Sequence, residues 1–122
     1  MTTCCGTHHD TNGVIQFTDV KIANGIHNRD SIRNSGIFTC ENPRLYRISV
    51  YIQTNTKQSG YYVKKNTNTI ADGYSSLTDC YQTASVTVME QLAVNDTISV
   101  SARSSMHVYG GIESCLTILQ IQ

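Results

Sequence analysis

With 122 residues, a formal net charge of zero and only 15% charged side chains, the chain has the length of one domain with a sizeable core. The balance excludes a nucleic-acid binder, which needs Lys and Arg in excess on one face, and low charge with 39% hydrophobic residues argues against disorder. No apolar run approaches the roughly 20 residues of a membrane-spanning helix.

Residues 1–13 are polar and irregular. Met1 runs into Thr2-Thr3-Cys4-Cys5 with no signal-peptide pattern, as a cut or mature fragment would begin, so the missing leader is uninformative. His8-His9-Asp10 invites a metal reading, but adjacent side chains on an extended chain point to opposite sides, which suits a shared metal poorly. A solvated loop or terminus is expected there. Val14 to Ile22 reads as a strand with Ile15, Phe17 and Val20 inward and an irregularity near Asp19. Asn24-Gly25 marks a turn, and residues 28–36 read as a polar loop.

The strongest local signal follows. Gly36 to Cys40 reads as a short strand, and Pro43, the sole proline, marks a corner, because it has no N–H to give a sheet. From Leu45 the pattern alternates. Tyr46, Ile48, Val50 and Ile52 point one way and Arg47, Ser49, Tyr51 and Gln53 the other, the period of a strand with one apolar and one wet face.

Residues 55–60 read as a loop, Gly60 to Lys65 as a strand, and Asn66-Thr67-Asn68 as a hairpin-like turn. Thr69-Ile70-Ala71 continues weakly into a turn at Asp72-Gly73-Tyr74. A long strand is expected from Cys80 to Leu92 with Val86 and Val88 inward. Asn95-Asp96 makes a tight turn before a strand at Thr97 to Val100, and Arg103 to Gly111 reads as a polar, glycine-ended loop. Cys115 to Ile121 closes the chain as a strand apolar enough to lie centrally in a sheet. No stretch carries a 3.6-residue period, so no substantial helix is assigned. Short strands separated by turns indicate a sandwich or jelly roll.

The cysteines stand at 4, 5, 40, 80 and 115. An odd count leaves at least one thiol free or paired with another chain. Adjacency disfavours a bond between Cys4 and Cys5, and no CxxC suggests a zinc ribbon. Disulfides of an oxidising compartment and buried small hydrophobes both remain open readings. Asn95-Asp96-Thr97 is a glycosylation sequon in a turn. There is no Gly-x-Ser-x-Gly elbow and no Gly-rich phosphate loop, and paired carboxylates are sparse. His27 and His107 have no recognisable nucleophile context, so no enzyme is expected.

Gly36, Phe38, Thr39, Cys40, Pro43, Tyr46 and Ser49 stand at the spacing Gly-x-Phe-Thr-Cys-x-x-Pro-Gly-x-Tyr-x-Phe-Ser, with Arg44 for the Gly and Ile48 for the Phe. This resembles the globular head domain of complement C1q and its relatives, kin to tumour necrosis factor. Val14-Ile15-Gln16-Phe17, Ile22-Ala23-Asn24-Gly25, Val63-Lys64-Lys65-Asn66 and Leu92 to Ile98 resemble further family segments in order, so the likeness spans about residues 14–121. It departs in three places. The family's first strand is not visible before Val14, and Thr2 to Thr7 offers itself instead. Glu90 falls where the family has an inward Leu, and a bulge turning Glu90 out and Met89 in is expected over a buried carboxylate. The family's final Phe-x-Gly-Phe becomes Ser114-Cys115-Leu116-Thr117.

The resemblance implies a single all-β domain over 1–122, a two-sheet jelly-roll sandwich of about ten antiparallel strands that assembles as a homotrimer. No Gly recurs at every third residue as a collagen-like tail requires, so a head domain alone or a stalkless member of invertebrate type is expected. The implied function is a secreted, extracellular innate-immune lectin binding carbohydrate or microbial surface ligands. The alternative is a trimeric signalling or structural module that binds a protein receptor. Arg103, Ser105, His107 and Tyr109 suit a sugar: hydroxyls and Arg bond its oxygens, Tyr packs its C–H face, and Arg103 would pair with a carboxylate such as that of sialic acid. Tyr62, Asp72 and Tyr74 form a second candidate set. Asp72 and Asp79 offer oxygens to calcium, although no calcium-loop pattern is present.

Overall fold

A computed structural model describes residues 1–23, 30–76 and 80–121. In chain order its strands are β1 (Thr2–Cys4), β2 (His9–Thr11), β3 (Asp19–Ile22), β4 (Phe38–Thr39), β5 (Arg44–Thr54), β6 (Gly60–Lys65), β7 (Asn68–Tyr74), β8 (Gln82–Leu92), β9 (Thr97–Ala102), β10 (Met106–Val108) and β11 (Cys115–Gln120). Helix α1 covers Asp30–Ser35, and a 3-10 turn covers Gly111–Glu113. One antiparallel sheet has the order β3-β1-β11-β5-β8 and a second the order β4-β9-β6-β7; β2 and β10 pair as a separate ribbon. This is the all-β jelly-roll class read from the strand pattern.

Strand β5 lies centrally, between β11 and β8. Tyr46, Ile48, Val50 and Ile52 are all buried, as their alternation requires. Across the core they share one cluster with Tyr61, Val63, Ile98 and Val100 of the second sheet, and each large apolar side chain removed from water contributes about 1.5–3 kcal/mol. Tyr61 spans the two layers, its hydroxyl donating to the Ala84 carbonyl at 2.8 Å. Beyond the Pro43 corner the Tyr46 hydroxyl donates to the Asn42 carbonyl at 2.8 Å. Burial, then the Cys40 thiol, pushes this phenol up to about 12.

Several local expectations are corrected. Residues 30–35 are helical, not loop; six residues are too few to write a periodic stripe, and Ile32 alone anchors them in the core. The strand expected over Val14 to Ile22 ladders at Asp19–Ile22, with an isolated antiparallel bridge from Val14 to Ser101, and that expected over Gly36 to Cys40 only at Phe38–Thr39. Ile15 and Phe17 are nonetheless buried, and Val20 packs on the core. The irregularity near Asp19 is a slip opposite Thr2/Thr3, which face Ile22 and Val20.

Asp72-Gly73-Tyr74 is strand, paired with Tyr62, Tyr61 and Gly60. The glycine serves packing rather than a turn: a Cβ at Gly73 would stand 2.5 Å from the Tyr61 ring. Arg103 to Gly111 is not all loop, since β10 occupies Met106–Val108. The bulge at Glu90 is absent, because β5 and β8 stay in unbroken register from Arg44↔Leu92 to Thr54↔Gln82. Met89 stays outward at 52% exposure. Glu90 keeps its inward parity, half-buried, with Lys65 Nζ at 3.3 Å. An edge-strand carboxylate with a cation across the sandwich avoids the cost of an unpaired buried charge.

The amino-terminal stretch is built into the fold. β1 pairs with both β11 and β3, and Met1, Thr3, Cys4 and Cys5 are buried. Cys4 and Cys115 face each other in that ladder and form a disulfide. Cys5 and Cys40 are buried thiols and Cys80 an exposed one, so both open readings of the cysteines hold, at different positions. The Asn24-Gly25 turn, His27 and Asp79 lie outside the described residues.

Candidate functional site

The residues singled out from sequence gather at one end of the sandwich, but in a different grouping. Arg103 leaves the Ser105, His107 and Tyr109 set and joins Tyr62, Asp72 and Tyr74. Alternation explains this. Tyr61, Val63 and Ala102 face the core, so Tyr62 and Arg103 face out. Tyr62 stands directly opposite Asp72 on β7, with Tyr74 two residues further along.

The Arg103 guanidinium carbon lies 5.1 Å from the Tyr62 ring centre and 5.3 Å from that of Tyr74. Its Nε donates to the Tyr62 hydroxyl at 3.1 Å. Asp72 Oδ2 stands 3.8 Å from an Nη nitrogen, beyond hydrogen-bond length, and the two side chains are 37% and 59% exposed. Two rings thus hold a cation whose forked end is not satisfied by its carboxylate neighbour. A screened, loosely spaced pair of this kind contributes little to stability.

His107 and Tyr109 belong to a second cluster. β10 pairs with β2, His107 opposite Asp10. His107 Nδ1 lies 2.7 Å from Asp10 Oδ1, and its ring meets Tyr109 edge-on at 4.7 Å. His8 meets Tyr109 edge-on at 5.2 Å, and Tyr81 lies 5.1 Å from the same ring. A hydrogen bond with Tyr81 leads the causes holding the Tyr109 hydroxyl above the ordinary phenol range, with partial desolvation adding to it. The Gly110 N–H donates to His8 Nδ1 at 2.8 Å. That approach needs a glycine, because a Cβ at 110 would stand 2.4 Å from the Thr7 carbonyl carbon. Of the expected solvated loop or terminus at His8-His9-Asp10, the exposure of His8 and Asp10 holds, but the stretch is not irregular: His9 and Asp10 lie in β2, and His8 is tied to Gly110. Ser105 is exposed in the β9–β10 connection and lines a shallow cleft with Asp10, Thr56 and His107.

Sequence reasoning missed Tyr81 and set aside His8 and Asp10. The partners of His8 and Asp10 lie about a hundred positions away, and Tyr109, which Tyr81 meets, lies on another stretch of the chain, so no local spacing signals them. Among the described residues no three His, Cys, Asp or Glu side chains converge to hold a metal. Of the calcium pair, Asp72 faces Arg103 instead. At the opposite end Asn95 sits exposed in its turn, its N–H donating to the Cys40 carbonyl at 2.9 Å.

A family model described as "C1q domain" matches residues 3–116. No curated protein matches the chain in sequence. Among solved structures, the globular domain of zebrafish complement 1qA protein aligns over 99% of this chain and 95% of its own, with a TM-score of 0.76 at 12% identity. Murine APRIL at pH 8.5 aligns over 98% of both chains with a TM-score of 0.66 at 11% identity. Eiger TNF from S. frugiperda aligns over 100% and 92% with a TM-score of 0.63 at 10% identity. At these identities the likeness establishes the fold.

Proposed function

Because this chain belongs to the C1q domain family, whose members are typically non-enzymatic ligand-binding modules, we propose that it is a secreted pattern-recognition lectin that binds acidic carbohydrate through Arg103. One observation carries the proposal: the Arg103 guanidinium packs on two tyrosine rings while its forked end lacks a carboxylate at hydrogen-bond distance. An incoming carboxylate, such as that of a sialic acid, takes that end in a bidentate pair. Asp72 swings toward solvent or accepts sugar hydroxyls, and Tyr62 and Tyr74 offer ring surface to the C–H groups. Secretion is in keeping with the Cys4–Cys115 disulfide and with an exposed sequon at Asn95.

Calorimetry with a sialoside tests it. Millimolar-or-tighter binding that falls at least about tenfold in Arg103→Ala is the expected result. Binding unchanged in that variant removes the proposal.

Assembly as a homotrimer forms part of the same proposal, since C1q and tumour-necrosis-type domains commonly form trimers. The outer face of the first sheet carries Met89, Arg47 and Leu119 side by side across β8, β5 and β11, with both apolar members exposed. That row also favours the second reading, a trimeric module whose partner is a protein. Light scattering that finds a monomer at micromolar concentration ends the assembly claim.

A further inference from the structure

The cluster of His8, His107, Tyr81, Tyr109 and Asp10 has no part in holding a carboxylate, yet its polar edges are fixed. Because Gly110 N–H donates to His8 Nδ1 at 2.8 Å, the neutral ring keeps its proton on Nε2 and presents a donor. Because His107 Nδ1 stands 2.7 Å from the Asp10 carboxylate, that nitrogen carries the proton, and in the neutral ring Nε2 presents a lone pair. One donor and one acceptor thus lie on rings whose centres are 6.4 Å apart, a span that hydrogen bonds to two hydroxyls of one small polyol can bridge. Tyr81, 68% exposed, packs on Tyr109, the ring that both imidazoles meet edge-on. An exposed aromatic face next to a matched donor and acceptor is the set that a neutral sugar ring requires: stacking for its C–H face and directed bonds for its hydroxyls. A cationic ligand suits the cluster less well, because Asp10 is already engaged by His107. A metal suits it poorly as well, because His8 Nδ1 accepts from Gly110 and its Nε2 carries the proton, so His107 alone offers a lone pair.

We propose that this cluster is a second carbohydrate subsite, which takes a neutral pyranose with an apolar face, as a β-galactoside has, beside the acidic residue bound by Arg103. The inference rests on the reading of this end of the molecule as a glycan-binding surface. Protein-observed NMR with methyl β-D-galactopyranoside tests it. The expected shifts concentrate on the His8 and His107 imidazoles, the Gly110 amide and Tyr81. Tyr81→Ala weakens binding by at least about tenfold, while Tyr81→Phe, which keeps the ring, stays within about threefold. Arg103→Ala leaves the neutral pyranoside within about twofold of the parent. Absence of shifts at these residues up to about 100 mM ligand, or full binding by Tyr81→Ala, overturns the proposal. A parent protein that binds the galactoside but no sialoside removes the Arg103 proposal and supports this one; a parent that binds the sialoside but no galactoside overturns this one and spares the first.

Discussion

The two clusters at this end are assembled by different means. The Arg103 cluster is a product of sheet register: Tyr62, Asp72 and Tyr74 stand on paired strands β6 and β7, and Arg103 follows directly on β9. Whatever keeps those three strands in register also sets the clamp. The His8–His107 cluster depends on docking of the amino-terminal segment, held by the β1–β11 ladder, by the Cys4–Cys115 bond and by close packing of Thr7 on Gly110. Chemistry on regular register resists local damage, whereas chemistry on a docked segment fails when the segment lifts.

Removing the disulfide should separate the two most strongly. Closing a loop of 111 residues constrains the unfolded chain by about 4–5 kcal/mol. Cys4→Ser with Cys115→Ser should lower Tm by about 10 °C or more by calorimetry, and in the folded fraction hydrogen exchange should rise at β1 and β2 before it rises at β6 and β7. Equal loss at both clusters would break the contrast.

Gly110→Ala comes next. The added Cβ meets Thr7 backbone, which cannot yield as a flexible side chain would, so a cost of about 1–3 kcal/mol is expected. Chemical denaturation reads the cost. Sialoside binding through Arg103 should survive while galactoside binding through His8 and His107 falls.

The far end of the sandwich supplies a control. Lys65→Met leaves Glu90 half-buried without its cation and should cost about 0.5–1 kcal/mol in urea, with both ligands bound as before.

The smallest effect concerns pH. A hydrogen bond from the Ala93 N–H, helped by Asn66 and Lys65, holds the Asp96 carboxyl below the usual range. A carboxylate depressed by folding contributes stability that is fully present above its unfolded pKa and disappears as pH falls through the folded one. The urea midpoint of Asp96→Asn should therefore lie below that of the parent at neutral pH and converge with it in acid. A gap that widened in acid would contradict the assignment.

Much of this was legible beforehand. The alternation from Leu45 to Ile52 placed the core strand, the apolar closing segment placed a central one, and the Gly36 to Ser49 spacing pointed to the family. Arg103, Tyr62, Asp72, Tyr74, His107 and Tyr109 are all candidates from sequence, where Arg103 groups with His107 and Tyr109, whereas the fold packs it on Tyr62 and Tyr74. The helix at Asp30–Ser35 is too short to write a period, and no local pattern reveals that Glu90 stays inward, because its partner Lys65 is 25 positions away.

What the sequence determined by itself is the alternation of faces along each strand, because period two is a property of the backbone and needs no partner. Strand type, core residues and outward residues follow from it. Which outward residues meet was decided only by tertiary structure. Register and the docking of the amino-terminal segment bring together positions about a hundred apart, and a contact at that separation is fixed by the packing of the whole sandwich rather than by any stretch of chain. The His8–His107 subsite is a contact of that kind; the Arg103 subsite is set by register over the shorter span of 41 positions from Tyr62 to Arg103.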